Sequence, residues 1–129
     1  MVMVMIGGAI GTWLRYVLSK WFNEQAWTRG FPYGTMFINV TGSFVLGMAA
    51  VLIRDRLPPR FQDWYLLIGT GFCGGYTTFS TFELETYQLV NDHSYLRAAY
   101  NVIGSVVAGF AGVVLAIFLV NALFARQPG

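Results

Sequence analysis

Four apolar stretches joined by short connections, at about residues 2–21, 34–53, 64–90 and 96–124, leave this chain one broad class of fold. A bilayer crossing takes about 20 mostly apolar residues. Inside hydrocarbon every backbone polar group must find a partner within the protein, so such segments become helices. The sequence therefore predicts a single all-α integral membrane domain of four transmembrane helices, with nothing left over for a soluble domain. Only 11% of the 129 residues are charged. A soluble domain carries about 25%. No small-residue cleavage site follows the first stretch, so it reads as a retained helix rather than a signal peptide.

The third stretch departs from this simple pattern. Its middle reads Gly71-Phe72-Cys73-Gly74-Gly75-Tyr76-Thr77-Thr78-Phe79-Ser80-Thr81-Phe82. Glycine and hydroxyl residues are poor material for a continuous helix. The run predicts a helix that breaks near Gly74-Gly75, at bilayer depth, and resumes at Thr78. Unwound backbone survives at that depth only when it is buried in protein or lines a wet cavity. A break there marks an ion or substrate site.

Small and polar residues also form stripes. Thr35, Asn39, Ser43 and Gly47 repeat every four residues, and so do Asn101, Ser105 and Gly109. Each set shares one helical face. Gly7 and Gly11 form a small-xxx-small pair that admits a close neighbour. Such faces avoid lipid, because an unpaired amide in an apolar medium costs several kcal/mol. Four short helices cannot enclose much of a pore, so these faces predict an oligomer.

Charge placement bears on orientation. One side of the predicted bundle holds Arg54, Arg56, Arg60 and Arg126; the other holds Lys20, Arg29 and Arg97, with Arg15 near it. Lysine and arginine excess normally fixes orientation. A nearly even tally gives little bias and leaves open a protein that inserts both ways.

Enzymatic chemistry has no foothold. Cys73 and His93 are each alone, so neither a disulfide nor a thiol or imidazole metal site can be built. Gly71, Gly74 and Gly75 do not follow the dinucleotide-binding pattern. Glu83 and Glu85 are two apart and do not share a helical face. Nothing points to a nucleic acid. Phe79 and Phe82, three apart, do share a face. Packing is the ordinary use of such rings, but their positive edges can also contact an anion without a formal cation.

The string from Gly71 to Phe82 resembles the signature of the small bacterial fluoride channels of the CrcB/Fluc family. Gly7-Gly8 with Gly11, Arg15-Tyr16, Gly34-Thr35, Asn39, Gly42-Ser43 and the third stretch through Glu85 extend the likeness over the whole chain. The resemblance implies a passive channel exporting fluoride across the bacterial inner membrane. It also implies an antiparallel dual-topology homodimer whose third helix is broken mid-membrane. By the same likeness the fluoride pathway falls on Asn39, Phe79, Ser80, Thr81, Phe82, Glu85 and Tyr100, with Arg15 structural. A structural sodium ion at the dimer centre falls on the backbone carbonyls of Gly74 and Thr77. Glu83 departs from the family, which commonly has serine there. The rival reading is a small dual-topology multidrug exporter. That mechanism needs a membrane-embedded acid, usually in the first helix, and the first stretch has Arg15 and no acid.

Overall fold

The computed structural model describes residues 1–125; Arg126, counted in the charge tally, lies outside them. All regular structure among the described residues is helical. Helix α1 spans Val2–Glu24 and α2 spans Tyr33–Asp55, the last turns of α2 widening to π-helix over Ala50–Asp55. The third stretch forms two helices, α3 over residues 62–76 and α4 over Phe79–Asn91. Helix α5 spans Tyr95–Ala125. Helices α1, α2 and α5 are each long and apolar enough to cross a membrane. Their outer faces carry exposed Ile10, Trp13, Val17, Ile103, Phe110 and Phe118, among others. Large apolar side chains facing outward all along a helix suit lipid rather than water.

Two tight contacts hold the bundle. Along α2 and α5, a methyl added at Gly47 would lie 3.0 Å from the Val113 carbonyl, and one at Gly112 would lie 3.2 Å from the Val40 carbonyl. Ala116 and Val120, on the same face of α5 as Gly112, have almost no exposed surface. Along α1 and α3 the backbones come closer still. A methyl at Gly7 would overlap the Leu67 carbonyl, one at Gly11 the Phe72 carbonyl, and one at Gly75 the Gly8 carbonyl. Small residues allow this approach, and van der Waals contact supplies the attraction that the hydrophobic effect cannot supply within lipid. Helix α3 takes π-helical form over Leu66–Cys73. Leu67 and Phe72, five apart, thereby fall on one face and meet Gly7 and Gly11, four apart on α1.

The interruption sits later than the glycines suggested. Gly74 and Gly75 are helical. The extended residues are Thr77 (ψ 158°) and Thr78 (φ −149°, ψ 111°). The physical reason is that Gly71 and Gly75 serve the contact with α1, where their missing side chains are needed, and close packing outweighs their low helix propensity. The threonines take over the break. Thr77 turns back on α3, its N–H and its Oγ1 both donating to the Cys73 carbonyl at 3.0 and 2.8 Å. Thr78 is the N-cap of α4, its Oγ1 accepting from the Thr81 N–H at 3.3 Å. A hydroxyl cap satisfies one of the donors that a helix start leaves unpaired.

Candidate functional site

The break is clamped from outside. Asn39 Nδ2 donates to the Thr78 carbonyl at 3.0 Å, and the Thr78 N–H donates back to Asn39 Oδ1 at 2.8 Å. One side-chain amide thus occupies both polar groups of the extended residue. Asn39 projects from the predicted stripe of α2, and Ser43 Oγ donates to the Asn39 carbonyl one turn on. On the other side, Arg15 Nε donates to the Gly75 carbonyl at 3.0 Å, joined by Thr12 Oγ1 at 3.4 Å. These contacts lie at the negative end of α3, where a cation is favoured. The sequence marked Arg15 only by its place in a motif; its partner is sixty residues away and no local spacing could show it.

A groove of about 560 Å³ opens beside the break. Asn39, Gly74, Thr77, Thr78, Phe79 and Phe82 all line it. Phe79 is 74% exposed whereas Phe82 is only 7% exposed, and their rings lie 6.0 Å apart at 45°. Gly74 faces open space, with nothing within 4 Å of where a methyl would stand. The groove is therefore unfilled on the side of Gly74 and the Phe79 ring.

A second, smaller cavity of about 140 Å³ lies toward the chain-reversal end of α1 and α2. Thr81 and Glu85 reach it from α4, and Thr35 from α2. Thr35 Oγ1 donates to Glu85 Oε1 at 2.8 Å, while Glu85 Oε2 is buried without a hydrogen-bond partner among the described residues. A buried acceptor left vacant in a polar cavity has room for a water or another hydrogen-bond donor. Thr35 was legible as part of a polar stripe, but not as the partner of Glu85. Glu83 points to the exposed side and takes no part.

The predicted residues thus divide. Asn39, Phe79 and Phe82 share the groove; Thr81 and Glu85 share the small cavity. Ser80 is exposed at the first turn of α4. Tyr100 lines neither space, standing on α5 with its ring 5.2 Å from that of Phe31. One support for the rings was half legible: Asn101 belongs to the polar stripe of α5, but its partner Thr86 carried no local signal. Asn101, only 1% exposed, donates through Nδ2 to Thr86 Oγ1 at 3.0 Å, and Thr86 Oγ1 donates to the Phe82 carbonyl at 2.8 Å. That chain of bonds ties the Phe82 turn of α4 to α5.

A family model described as CrcB-like protein, Camphor Resistance (CrcB), matches residues 2–117. The chain belongs to the CrcB family. Among its relatives, a protein of Hydrogenobaculum sp. (strain Y04AAS1) is 43% identical over 118 residues, covering 90% of this chain and 93% of its own. One from Roseiflexus sp. (strain RS-1) is 46% identical over 112 residues, covering 87% and 89%. Another, from Solibacter usitatus (strain Ellin6076), is 42% identical over 111 residues, covering 86% and 89%. All three carry the name "Fluoride-specific ion channel FluC". The CrcB match takes in α1 to α4 whole and most of α5, so the clamp, the groove and the small cavity all lie within it.

Proposed function

We propose that this protein is a channel, not an enzyme, that lets fluoride leave the cytoplasm passively, and that two oppositely oriented copies form the working unit. The observation that carries the fluoride assignment is the likeness to fluoride-specific channels along some 90% of the chain. Fluoride enters a cell as neutral HF at low external pH and dissociates inside. A channel then returns the anion down its gradient. The exporter reading gains no support from these relatives.

The dimer reading rests on the groove. Its unfilled side carries Gly74 and the exposed ring of Phe79, and a second copy facing it would complete the wall. The even basic tally supports opposite orientations. Where two such breaks meet, the Gly74 and Thr77 carbonyls of both copies would hold a sodium ion. The residues fit that ion: carbonyls are hard donors, they stand at the negative end of α3, and no His/Cys/Asp/Glu cluster competes among the described residues. Bound there, sodium supplies a fixed positive charge beside the anion path.

Each residue then has a task. Phe79 and Phe82 offer ring edges to a nearly dry ion. Ser80 and Thr81 can donate hydroxyl hydrogens as water is shed. Thr35 and Glu85 line the route onward, and Tyr100 stands at its end. Asn39 acts through the clamp it places on Thr78, holding the break open.

Reconstitution in liposomes with a fluoride electrode in the bath tests this, measured beside chloride and a lipophilic cation. Fluoride efflux without chloride efflux is expected. Movement of the lipophilic cation with none of fluoride would return the exporter reading. A C-terminal tag should be accessible from both faces of cells, and labelling from one face alone would end the dual-topology claim.

A further inference from the structure

A third cavity, of about 440 Å³, opens where the 25–33 connection meets the start of α5. Two guanidinium groups line it, from Arg29 and Arg97, together with the rings of Trp27, Phe31, Tyr33 and Tyr100, and no carboxylate does. The rings brace one another, Phe31 lying 4.7 Å from Tyr33 and 5.2 Å from Tyr100. Arg97 Nη1 donates to the Gly30 carbonyl at 3.2 Å. Gly30 has φ +88°, and a methyl there would stand 2.6 Å from Arg97 Nη1, so the guanidinium lies where only glycine leaves room. This anchors one corner of a five-donor fork and leaves the rest available. Among the described residues neither arginine forms an ion pair or lies over a ring. Two uncompensated guanidiniums in one cavity favour an anion.

Depth narrows the anion's identity. Helix α5 has 31 residues. At 1.5 Å per residue it is about 46 Å long, against a hydrocarbon core of about 30 Å. The excess lets its first turns, which carry Tyr95 and Arg97, reach the headgroup layer, where Trp and Tyr concentrate. Beside the arginines, Leu96 is 85% exposed and Trp27 is also exposed, offering an apolar flank on the lipid side. A basic pocket with an apolar flank at that level matches an anionic phospholipid. Guanidinium groups pair with phosphate oxygens through parallel hydrogen bonds.

We propose that Arg29 and Arg97 hold the phosphate of an anionic phospholipid headgroup in this cavity. The cavity adjoins the end of the proposed route, since Tyr100 lines it too, but neither arginine lines the groove with the Phe79 and Phe82 rings or the cavity around Glu85, and a lipid site goes beyond fluoride passage.

Native mass spectrometry of the detergent-solubilised full chain, titrated with phosphatidylglycerol or phosphatidylcholine, tests it. The unaltered protein should retain phosphatidylglycerol over phosphatidylcholine by about tenfold or more, and R29Q/R97Q should lose that preference. Arg29 sits in an exposed connection, so R29Q alone should weaken the preference even if losing the Gly30 contact disturbs the loop in the double variant. Equal phosphatidylglycerol retention by the unaltered protein and both variants overturns the proposal. Displacement of the lipid by excess inorganic phosphate overturns the lipid as the source of the phosphate. Fluoride efflux from phosphatidylcholine vesicles should match between R29Q/R97Q and the unaltered protein. A loss of efflux with the lipid preference intact would assign the arginines to ion entry and overturn the proposal as well.

Discussion

Replacing Asn39 separates two roles that a pore-side asparagine can have. If its amide merely faces the ion, Asn39→Leu should conduct poorly in a protein of normal stability. The clamp predicts more. Leucine leaves both the Thr78 N–H and the Thr78 carbonyl, now bonded at 2.8 and 3.0 Å, without partners. Each partly buried orphan costs about 1–3 kcal/mol. The substitution should therefore cost about 2–6 kcal/mol, and the midpoint of thermal unfolding should fall on the order of 10 °C. Asn39→Asp is the informative companion. Its carboxylate can still accept from the Thr78 N–H, but it turns a second oxygen toward the Thr78 carbonyl where a donor had been. It keeps about half of the clamp and adds a negative charge beside the proposed anion path. Stability between that of the unaltered protein and Asn39→Leu is expected, with fluoride efflux reduced more sharply than stability alone explains. Thermal unfolding in detergent and efflux from liposomes measure the two quantities separately. An unchanged midpoint in Asn39→Leu would refute the clamp, and normal efflux in Asn39→Asp would remove this residue from the pathway.

Three further outcomes follow from the same geometry. Phe79→Ile should leave folding intact, because the ring is largely exposed, yet cut fluoride efflux; Phe82→Ile should cut efflux too and lose about 1–2 kcal/mol of packing from a nearly buried site; near-normal efflux from both would leave the ring-edge mechanism without support. Gly75→Ala should destabilise the fold by about 1–3 kcal/mol, since its methyl meets the Gly8 carbonyl, whereas Gly74→Ala should fold normally and lose only the dimer and its sodium dependence; size-exclusion profiles with and without sodium check the contrast, and equal behaviour of the two would refute it. Arg15→Gln should weaken the cover on the Gly75 carbonyl and lower thermal stability, with lysine restoring only part because it lacks the planar fork; full rescue by lysine would reduce the contact to charge alone.

The sequence made the helices and their polar faces legible because hydrophobic length and four-residue spacing are local signals. The stripe of Thr35, Asn39 and Ser43 does meet the break and α4, as a face unsuited to lipid must. The position of the break was harder. Propensity singled out Gly74 and Gly75, but whether a glycine unwinds a helix or admits a neighbour depends on what lies across from it. Here the Gly8 carbonyl lies across from Gly75, and a threonine pair two residues on becomes the extended segment. Thr86 gave no signal at all, and neither did the pairing of Arg15 with Gly75 or of Thr35 with Glu85. Each of those contacts joins residues distant in the chain. Resemblance, rather than spacing, brought Tyr100 into view.

The meshing of α3 on α1 has a mechanical consequence. Two contact points five residues apart on one helix are matched to two that are four apart on the other, as on a vernier whose scales coincide at one setting. Sliding α3 along α1 by a turn would leave only one of Leu67 and Phe72 opposite a glycine and drive the other carbonyl into a side chain. The joint therefore has a single seat and no neighbouring one to hop to. A joint seated this way moves as one body, so α1 and α3 carry the break between them as a rigid unit.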